Sequence, residues 1–197
     1  MTGTMSENIN AAARPKAKPR AKAGRFDQTS IALHWLTAVI VAAQLVMGWA
    51  LSHGGDEIPA LLTAHRSIGI AIWMIVAARF VWRHGFAHLP PFPASMPKLQ
   101  QRLAQLNEYA LYALLLIQPL TGLGNTLFHG RSFALFAWQV PALVARDEAV
   151  FHALRLIHNL GAWGLLMLIS IHAAAALFHA LVLRDGVFQR MLPWTAR

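Results

Sequence analysis

Residues 158–172 constrain the fold of this chain more than any other stretch. They are apolar apart from His158, Asn159, Ser170 and His172. As a helix the stretch is about 21 Å long, most of the hydrocarbon core of a bilayer, and close to four full turns, so both imidazoles point to nearly the same side. An ionisable side chain inside a membrane span is costly and usually functional. We therefore expect a transmembrane helix with two metal ligands at two depths; the alternative is that both histidines are hydrogen-bonded core residues.

The composition predicts a membrane protein built from helices. The chain is 56% hydrophobic and only 13% charged, whereas soluble domains contain about 25% charged residues. Four apolar segments are long enough to cross a bilayer, at residues 30–51, 61–82, 107–128 and 158–183. The predicted fold is an all-α, four-helix transmembrane bundle.

The basic residues predict the boundaries and the orientation of this bundle. The net charge of +9 does not indicate a nucleic-acid partner, because the basic residues flank apolar segments; membrane lipid is the expected partner. Residues 1–24 are predicted to be a disordered basic tail, residues 25–193 the transmembrane domain and residues 194–197 a C-terminal tail. Thirteen Lys and Arg residues lie before the first span, after the fourth span, or in and beside the second connection, against four in and beside the other connections. The positive-inside rule therefore predicts both termini in the cytoplasm.

Four histidines pair by depth in this topology. His34 lies near the start of the first span and His172 near the end of the fourth, while His65 and His158 each begin a span at the opposite side. We therefore expect His34 to meet His172 and His65 to meet His158. Two imidazoles close both axial positions of a haem iron, which suits electron transfer, whereas they are too few ligands for a closed zinc site.

The absence of cysteine limits how a haem could be held. The chain has none, which excludes disulfides, iron–sulfur clusters, thiolate-ligated haem and covalently attached haem. Any haem is therefore bound non-covalently, by histidine or methionine.

The connections are predicted to be loops. Residues 84–97 contain four prolines, and we expect His84 and His88 to lie in this stiff connection. Residues 129–155 are expected to form a mixed loop that contains His152 and a short interfacial helix. Thr29 or Ser30 is expected to cap the first helix.

A series of short motifs carries a family resemblance. The motifs are Arg25-Phe26 before His34-Trp35, the His65-Arg66-Ser67-Ile68-Gly69 run, Arg79 and Arg83 before the prolines, Tyr112 with Pro119-Leu120-Thr121-Gly122, His158 with Trp163, His172 with His179, and Arg184-Asp185-Gly186 before Arg190-Met191-Leu192-Pro193. In this order they resemble the prokaryotic cytochrome b561 family, short di-haem membrane cytochromes related to the b subunits of nickel–iron hydrogenases.

The resemblance implies cofactors, partners and a location. It implies two non-covalent b haems, with axial ligands at the positions of His34, His65, His158 and His172, and electron transfer at the bacterial inner membrane with quinone as partner. One branch of the family oxidises superoxide and passes the electron to ubiquinone. Family members often have a histidine four residues before the tyrosine of the third span, and this chain has Glu108 there.

Three functions remain open at this point. The first is a di-haem cytochrome that carries electrons between a periplasmic donor, such as superoxide, and membrane quinone. The second is a cytochrome b subunit that docks a separate dehydrogenase or hydrogenase and has no substrate site of its own. The third is a membrane protein without redox activity, which would be colourless. The sequence does not decide between an oxidoreductase enzyme and an electron carrier.

Overall fold

Four long helices make up most of the molecule. The structure, a computed structural model, describes residues 24–54 and 59–193. The helices are α1 (Gln28–Gly54), α2 (Pro59–Gly85), α3 (Lys98–Phe128) and α4 (Glu148–Phe178). All four are long and apolar enough to cross a membrane, which confirms the predicted all-α transmembrane bundle. Residues 1–23 and 194–197, which contain nearly all of the two predicted tails, lie outside the described residues.

Successive helices pack against each other along the chain, α1 on α2, α2 on α3 and α3 on α4. A small core joins the first three helices, built from Val41, Ile72, Val76 and Tyr112. In contrast, the backbones of α1 and α4, and of α2 and α4, hardly approach each other. Close backbone contact is therefore limited to helices that follow each other in the chain, and α4 packs closely on α3 but not on α1 or α2.

Most of the large apolar side chains face outwards. Leu165 is the one buried residue of α4, while Trp163 and Met167 on the same helix are exposed. A helix that is apolar on its outer faces is stable in hydrocarbon, where the backbone hydrogen bonds of the helix are satisfied internally. The outer surface therefore matches a lipid environment.

One end of the bundle carries a small β-hairpin between α3 and α4. Its strands are β1 (Phe133–Leu135) and β2 (Trp138–Val140), paired antiparallel. At the turn, Phe136 adopts a left-handed conformation with φ 53°, and its backbone N–H donates to Ser67 Oγ at 2.6 Å. This hydrogen bond fastens the hairpin to α2, and we call this end of the molecule the hairpin end.

The opposite end, which we call the terminal end, brings together the described first and last residues. After α4 the chain forms a π-helical turn (His179–Leu183) and a 3-10 turn (Phe188–Met191). Trp35 Nε1 donates to the carbonyl oxygen of Met191 at 2.7 Å, and the buried Arg190 donates to the carbonyl oxygen of Pro91 at 2.7 Å. The final turns are thus tied to α1 and to the proline-rich connection.

The structure corrects several expectations about the connections. α4 begins at Glu148 and is capped by Asp147, so His152 lies in a helix and not in a loop. The segment predicted to contain an interfacial helix forms the hairpin and the first turns of α4. α2 extends through His84. At α1, Asp27 rather than Thr29 or Ser30 caps the helix, since its carboxylate accepts the backbone N–H of Ser30 at 2.9 Å.

Candidate metal centres

Two pairs of histidines face each other inside the bundle, and α4 contributes one ring to each. At the terminal end, the ring centroids of His34 and His172 are 6.1 Å apart with an angle of 56° between the ring planes. At the hairpin end, the centroids of His65 and His158 are 6.2 Å apart at 85°. We call these the terminal-side pair and the hairpin-side pair. The structure thus brings together the same residues that the depth argument paired.

The spacing of the rings fits one metal atom between the members of each pair. A metal–imidazole bond is about 2.0 Å long, so two imidazoles on opposite sides of one metal have centroids roughly 6 Å apart. Within residues 24–54 and 59–193, no group of three or more His, Cys, Asp or Glu is arranged to hold a metal ion. Each pair would supply two ligands to a metal held in a macrocycle such as haem.

The packing of the helices also fits a flat cofactor. The terminal-side pair joins α1 to α4 and the hairpin-side pair joins α2 to α4, and these are the helix pairs whose backbones hardly approach. A planar group held between two such helices would keep their backbones apart. The positions of the pairs thus coincide with the helix pairs whose backbones are separated.

At the hairpin-side pair, α3 fixes the ring of His158. The carbonyl oxygen of Gln118 lies 3.0 Å from Nδ1 of His158, and the hydroxyl of Thr121 lies 3.1 Å from it. A carbonyl oxygen only accepts, so Nδ1 carries the proton and Nε2 is left as the metal-binding nitrogen. Metal-bound histidines commonly have such a partner on the second nitrogen.

Two glycines leave room for the rings of the hairpin-side pair. A Cβ atom at Gly122 would lie 2.8 Å from Cε1 of His158, and one at Gly48 would lie 3.4 Å from Cε1 of His65. The Nδ1 atom of His65 is buried and has no hydrogen-bond partner among the described residues. A buried polar atom of this kind is costly and points to a group that the protein binds there.

At the terminal-side pair, the neighbour of the ring is a cation. Arg79 on α2 donates from Nη2 to Nδ1 of His34 at 3.1 Å, and its guanidinium carbon lies 5.5 Å from the ring centroid of Tyr112. A guanidinium group only donates, so Nδ1 of His34 accepts here and Nε2 carries the proton; binding of a metal through Nε2 would require Arg79 to give up this contact. One turn further along α2, Arg83 forms an ion pair with Glu108 at 2.5 Å. Glu108, the residue at which this sequence departs from the family pattern, is therefore neutralised by an arginine.

Each end also has a small cavity with a guanidinium group in its wall. The terminal-end cavity is lined in part by Phe26, Arg79 and Trp82. The hairpin-end cavity is lined in part by Arg66 and Phe133. Arginine binds carboxylates strongly, and haem b carries two propionates, so the cations present at both ends fit this cofactor.

The other described histidines lie elsewhere. His53 and His152 are exposed near the ends of their helices, and His88 lies in the proline-rich connection as expected. His179 is buried, and its Nδ1 contacts Asp185 Oδ2 at 2.6 Å. That contact helps to hold the terminal end together, and His179 belongs to neither histidine pair.

Sequence reasoning missed the contact between Arg79 and His34. A signal was nevertheless present, because Arg79 follows His65 on α2 by the same number of residues that separate His158 from His172 on α4. An arginine at that spacing lies at the depth of the terminal-side pair.

Comparison with known proteins gives one family. The family model described as prokaryotic cytochrome b561 matches residues 25–194. The chain is 30% identical to "Cytochrome b561 homolog 1" of Escherichia coli (strain K12), over 86% of this chain and 97% of that protein. It is also 30% identical to "Cytochrome b561 homolog 2" of the same strain, over 85% and 91%. A "Probable superoxide oxidase CybB" from Yersinia pestis is 25% identical over 86% and 96%.

Proposed function

Because the chain belongs to the prokaryotic cytochrome b561 family, we propose that it binds two b haems, one between His34 and His172 and one between His65 and His158. The family membership makes it a multi-pass bacterial membrane protein and a b-type cytochrome in electron transfer. The observation that carries the two-haem proposal is that one helix, α4, presents a histidine to a facing histidine at each end of the bundle.

The residues of each pair have defined tasks in this proposal. Haem supplies a one-electron couple between ferric and ferrous iron. The two histidines of each pair would hold the iron from both sides, which would leave no site for oxygen and favour electron transfer over oxygen chemistry. Gln118 holds His158 with its Nε2 towards the metal, and Gly122 leaves space for that ring. α4 separates the two centres by about 21 Å along its axis.

The direction of the chain in the membrane follows from its charges. We place the terminal end in the cytoplasm, since most Lys and Arg residues lie in segments on that side. The hairpin end then faces the periplasm across the inner membrane. The segments at this end contain four arginines and four carboxylates, so their formal charges cancel: Arg66, Arg131, Arg146 and Arg155 against Asp56, Glu57, Asp147 and Glu148.

We propose a small donor on the periplasmic side and membrane quinone as the acceptor, in line with the electron transfer of this family. A relative named a probable superoxide oxidase supports superoxide as this donor. In that case superoxide would lose one electron and become dioxygen, and two such electrons with two protons would reduce a quinone to the quinol. The haems held by the two histidine pairs would supply the one-electron couples between donor and acceptor.

The haem content is the first test. Protein purified in mild detergent is expected to contain two haems per chain, with sharp low-spin bands in reduced-minus-oxidised spectra. One haem per chain would refute one of the two pairs. A preparation that stays colourless after haem addition would refute the proposal altogether and return the histidines to packing or ion transport.

The electron donor is tested on the same preparation. Superoxide generated enzymatically in the presence of a soluble ubiquinone analogue is expected to yield ubiquinol faster than a sample with haem-free protein. If both haems are present and no ubiquinol forms, the protein is better described as a cytochrome b subunit that docks a separate dehydrogenase or hydrogenase.

A further inference from the structure

We propose that Gln44 and Gln118 are positioning residues of the hairpin-side haem site, and that each holds the ligand histidine of its own half of an internally repeated chain. Both act through the main chain of a ligand rather than on a substrate. This inference rests on the two-haem function proposed above, and it names the residues that set how His65 and His158 face each other.

The first step is a hydrogen bond to the main chain of each ligand. Nε2 of Gln44 on α1 donates to the carbonyl oxygen of His65 at 2.6 Å, and Nε2 of Gln118 on α3 donates to the carbonyl oxygen of His158 at 2.5 Å. A helical carbonyl oxygen has a second lone pair, so it can accept such a bond from a neighbouring helix. A bond at the carbonyl of the ligand itself fixes the depth and the rotation of its helix there, and with them the direction of the ring.

The second step is the space in which the two amide groups lie. A Cβ atom at Gly69, one turn after the ligand on α2, would lie 3.2 Å from Nε2 of Gln44. A Cβ atom at Gly161, one turn after the ligand on α4, would overlap Oε1 of Gln118. Both amides therefore lie against the backbone of the helix that carries the ligand, at a place where this helix has no side chain.

The third step is the cost of a glutamine inside the bundle. Oε1 of Gln44 is buried and has no hydrogen-bond partner among the described residues. An unpaired buried carbonyl oxygen destabilises a fold, and an apolar side chain would avoid that cost. The bond from Nε2 to His65 is what a glutamine supplies at this position and an apolar residue does not.

The fourth step is the repetition of this arrangement along the chain. Gly48 follows Gln44 by four residues, and Gly122 follows Gln118 by four residues. Each glycine faces the ring of the same histidine to which its glutamine donates. α1 with α2 and α3 with α4 are thus two halves of the same construction. A hydrogen bond that only joined two helices would not repeat together with its glycine and its target.

The terminal end shows where the two halves differ. Counted from the glutamines, His34 on α1 and Glu108 on α3 hold the same position. Counted from the ligands of the hairpin-side pair, Arg79 on α2 and His172 on α4 hold the same position. Each half thus gives one histidine to each pair, but only the hairpin-side histidines are equivalent. The glutamines donate to these two residues, so their effect should be confined to the hairpin-side haem.

The test is the electron paramagnetic resonance spectrum of the oxidised holoprotein. The angle between the two axial imidazole planes sets the anisotropy of the signal of low-spin ferric haem, so the spectrum reports ring orientation. The variants His172→Ala and His158→Ala each remove one ligand and assign the two signals. Gln44→Met and Gln118→Met keep the side-chain length and remove the donor. Each is expected to shift the hairpin-side signal and to lower the affinity for that haem by about tenfold, with the terminal-side signal unchanged.

The matched control is Thr37→Val on α1. Thr37 is buried, and its hydroxyl donates to the carbonyl oxygen of Leu33 in the same helix at 2.6 Å. This variant therefore also loses a buried hydrogen bond, but none at a ligand. Its hairpin-side signal and affinity are expected to equal those of the unmodified protein.

The inference is wrong if either methionine variant leaves the hairpin-side signal and affinity unchanged, or changes both haems equally, as a general loosening of the bundle would. Loss of the hairpin-side haem alone supports it when Thr37→Val keeps that haem. If a methionine variant does not fold, the asparagine variant at the same position decides, since its amide is one methylene group short of the carbonyl and should change the hairpin-side haem alone. Absence of haem from the unmodified protein would instead refute the proposed function.

Discussion

The two ends of the bundle hold their histidine pairs in different ways. At the hairpin end, α3 itself shapes the site, since a backbone carbonyl of Gln118 orients His158 and Gly122 makes room for it. At the terminal end, the ligand His34 faces a side chain, Arg79. The hairpin-side pair is therefore defined by the backbone, and the terminal-side pair by a charge.

The remaining contacts of the two ends differ in a complementary way. The terminal end is stabilised by side chains that join distant parts of the chain, such as Trp35 to Met191 and Trp82 to Asp27. The hairpin end has Ser67 to Phe136 as its long-range counterpart. The long-range ties are therefore concentrated at the terminal end, so substitutions in these ties should act mainly on folding, whereas substitutions at either histidine pair should act on cofactor binding.

Removal of a histidine should give the largest effect and sharpen the comparison most. His34→Ala and His158→Ala should each lose roughly half of the haem, since each leaves one iron without an axial ligand. The measurement is the ratio of haem to protein with the difference spectrum. The control is His152→Ala, which changes an exposed histidine on the same helix as His158 and should keep both haems. Full haem content in His34→Ala or His158→Ala would contradict the ligand assignment.

Gly122→Ala should affect the hairpin-side pair alone. The added Cβ would lie 2.8 Å from Cε1 of His158, so the ring must move away from its partner on α3. Displacing a ligand from its supporting contacts costs about tenfold or more in metal affinity. We expect partial loss of one haem, measured by haem titration of protein made under haem limitation.

The matched control is Gly48→Ala, where the new Cβ would meet Cε1 of His65 at 3.4 Å, an ordinary contact. Equal haem affinity in the two variants would show that the close contact between Gly122 and His158 does not shape the site.

The carboxylate contacts at the two ends should differ in their effect on folding. At the terminal end, the buried His179 contacts Asp185 at 2.6 Å. Asp185→Asn should lower the free energy of unfolding by about 1–3 kcal/mol, because it leaves a buried polar group poorly matched. At the hairpin end, Glu148→Gln removes the exposed pair with Arg146, and we expect no measurable change. Thermal unfolding in detergent tests both, and a larger effect at Glu148 would reverse the comparison.

The sequence was sufficient for the bundle and for the meeting of the histidines, because apolar spans and residue depth are both one-dimensional properties. The sequence did not predict the helix ends where helical turns with polar or charged side chains precede the apolar segment. Residues 98–106 and 148–157 are helical but too polar to be recognised as parts of spans. The hairpin was missed as well, because its turn depends on a tertiary contact from Ser67 to Phe136 that no local pattern reveals.

The smallest predicted effect concerns the helix caps at the two ends. Asp27 at the terminal end accepts from the backbone N–H and the hydroxyl of Ser30 and from Trp82 Nε1, whereas Asp147 at the hairpin end accepts from the backbone N–H of Val150. Asp27→Ala should therefore cost about 1–2 kcal/mol of stability, and Asp147→Ala less. Equal losses would show that the additional partners of Asp27 contribute nothing.

The pH dependence of stability separates the two caps further. Partial burial raises the pKa of Asp27, but the hydrogen bonds from Ser30 and Trp82 outweigh it and hold this pKa below its usual value. A carboxylate with a lowered pKa stabilises the fold above its unfolded-state pKa, and that contribution is lost as the pH falls through the folded-state value. Thermal unfolding measured from neutral pH into the acid range should therefore show the difference between the native protein and Asp27→Ala shrinking as the pH falls. A difference that stays constant would mean that the stabilisation comes from packing of Asp27 rather than from its charge.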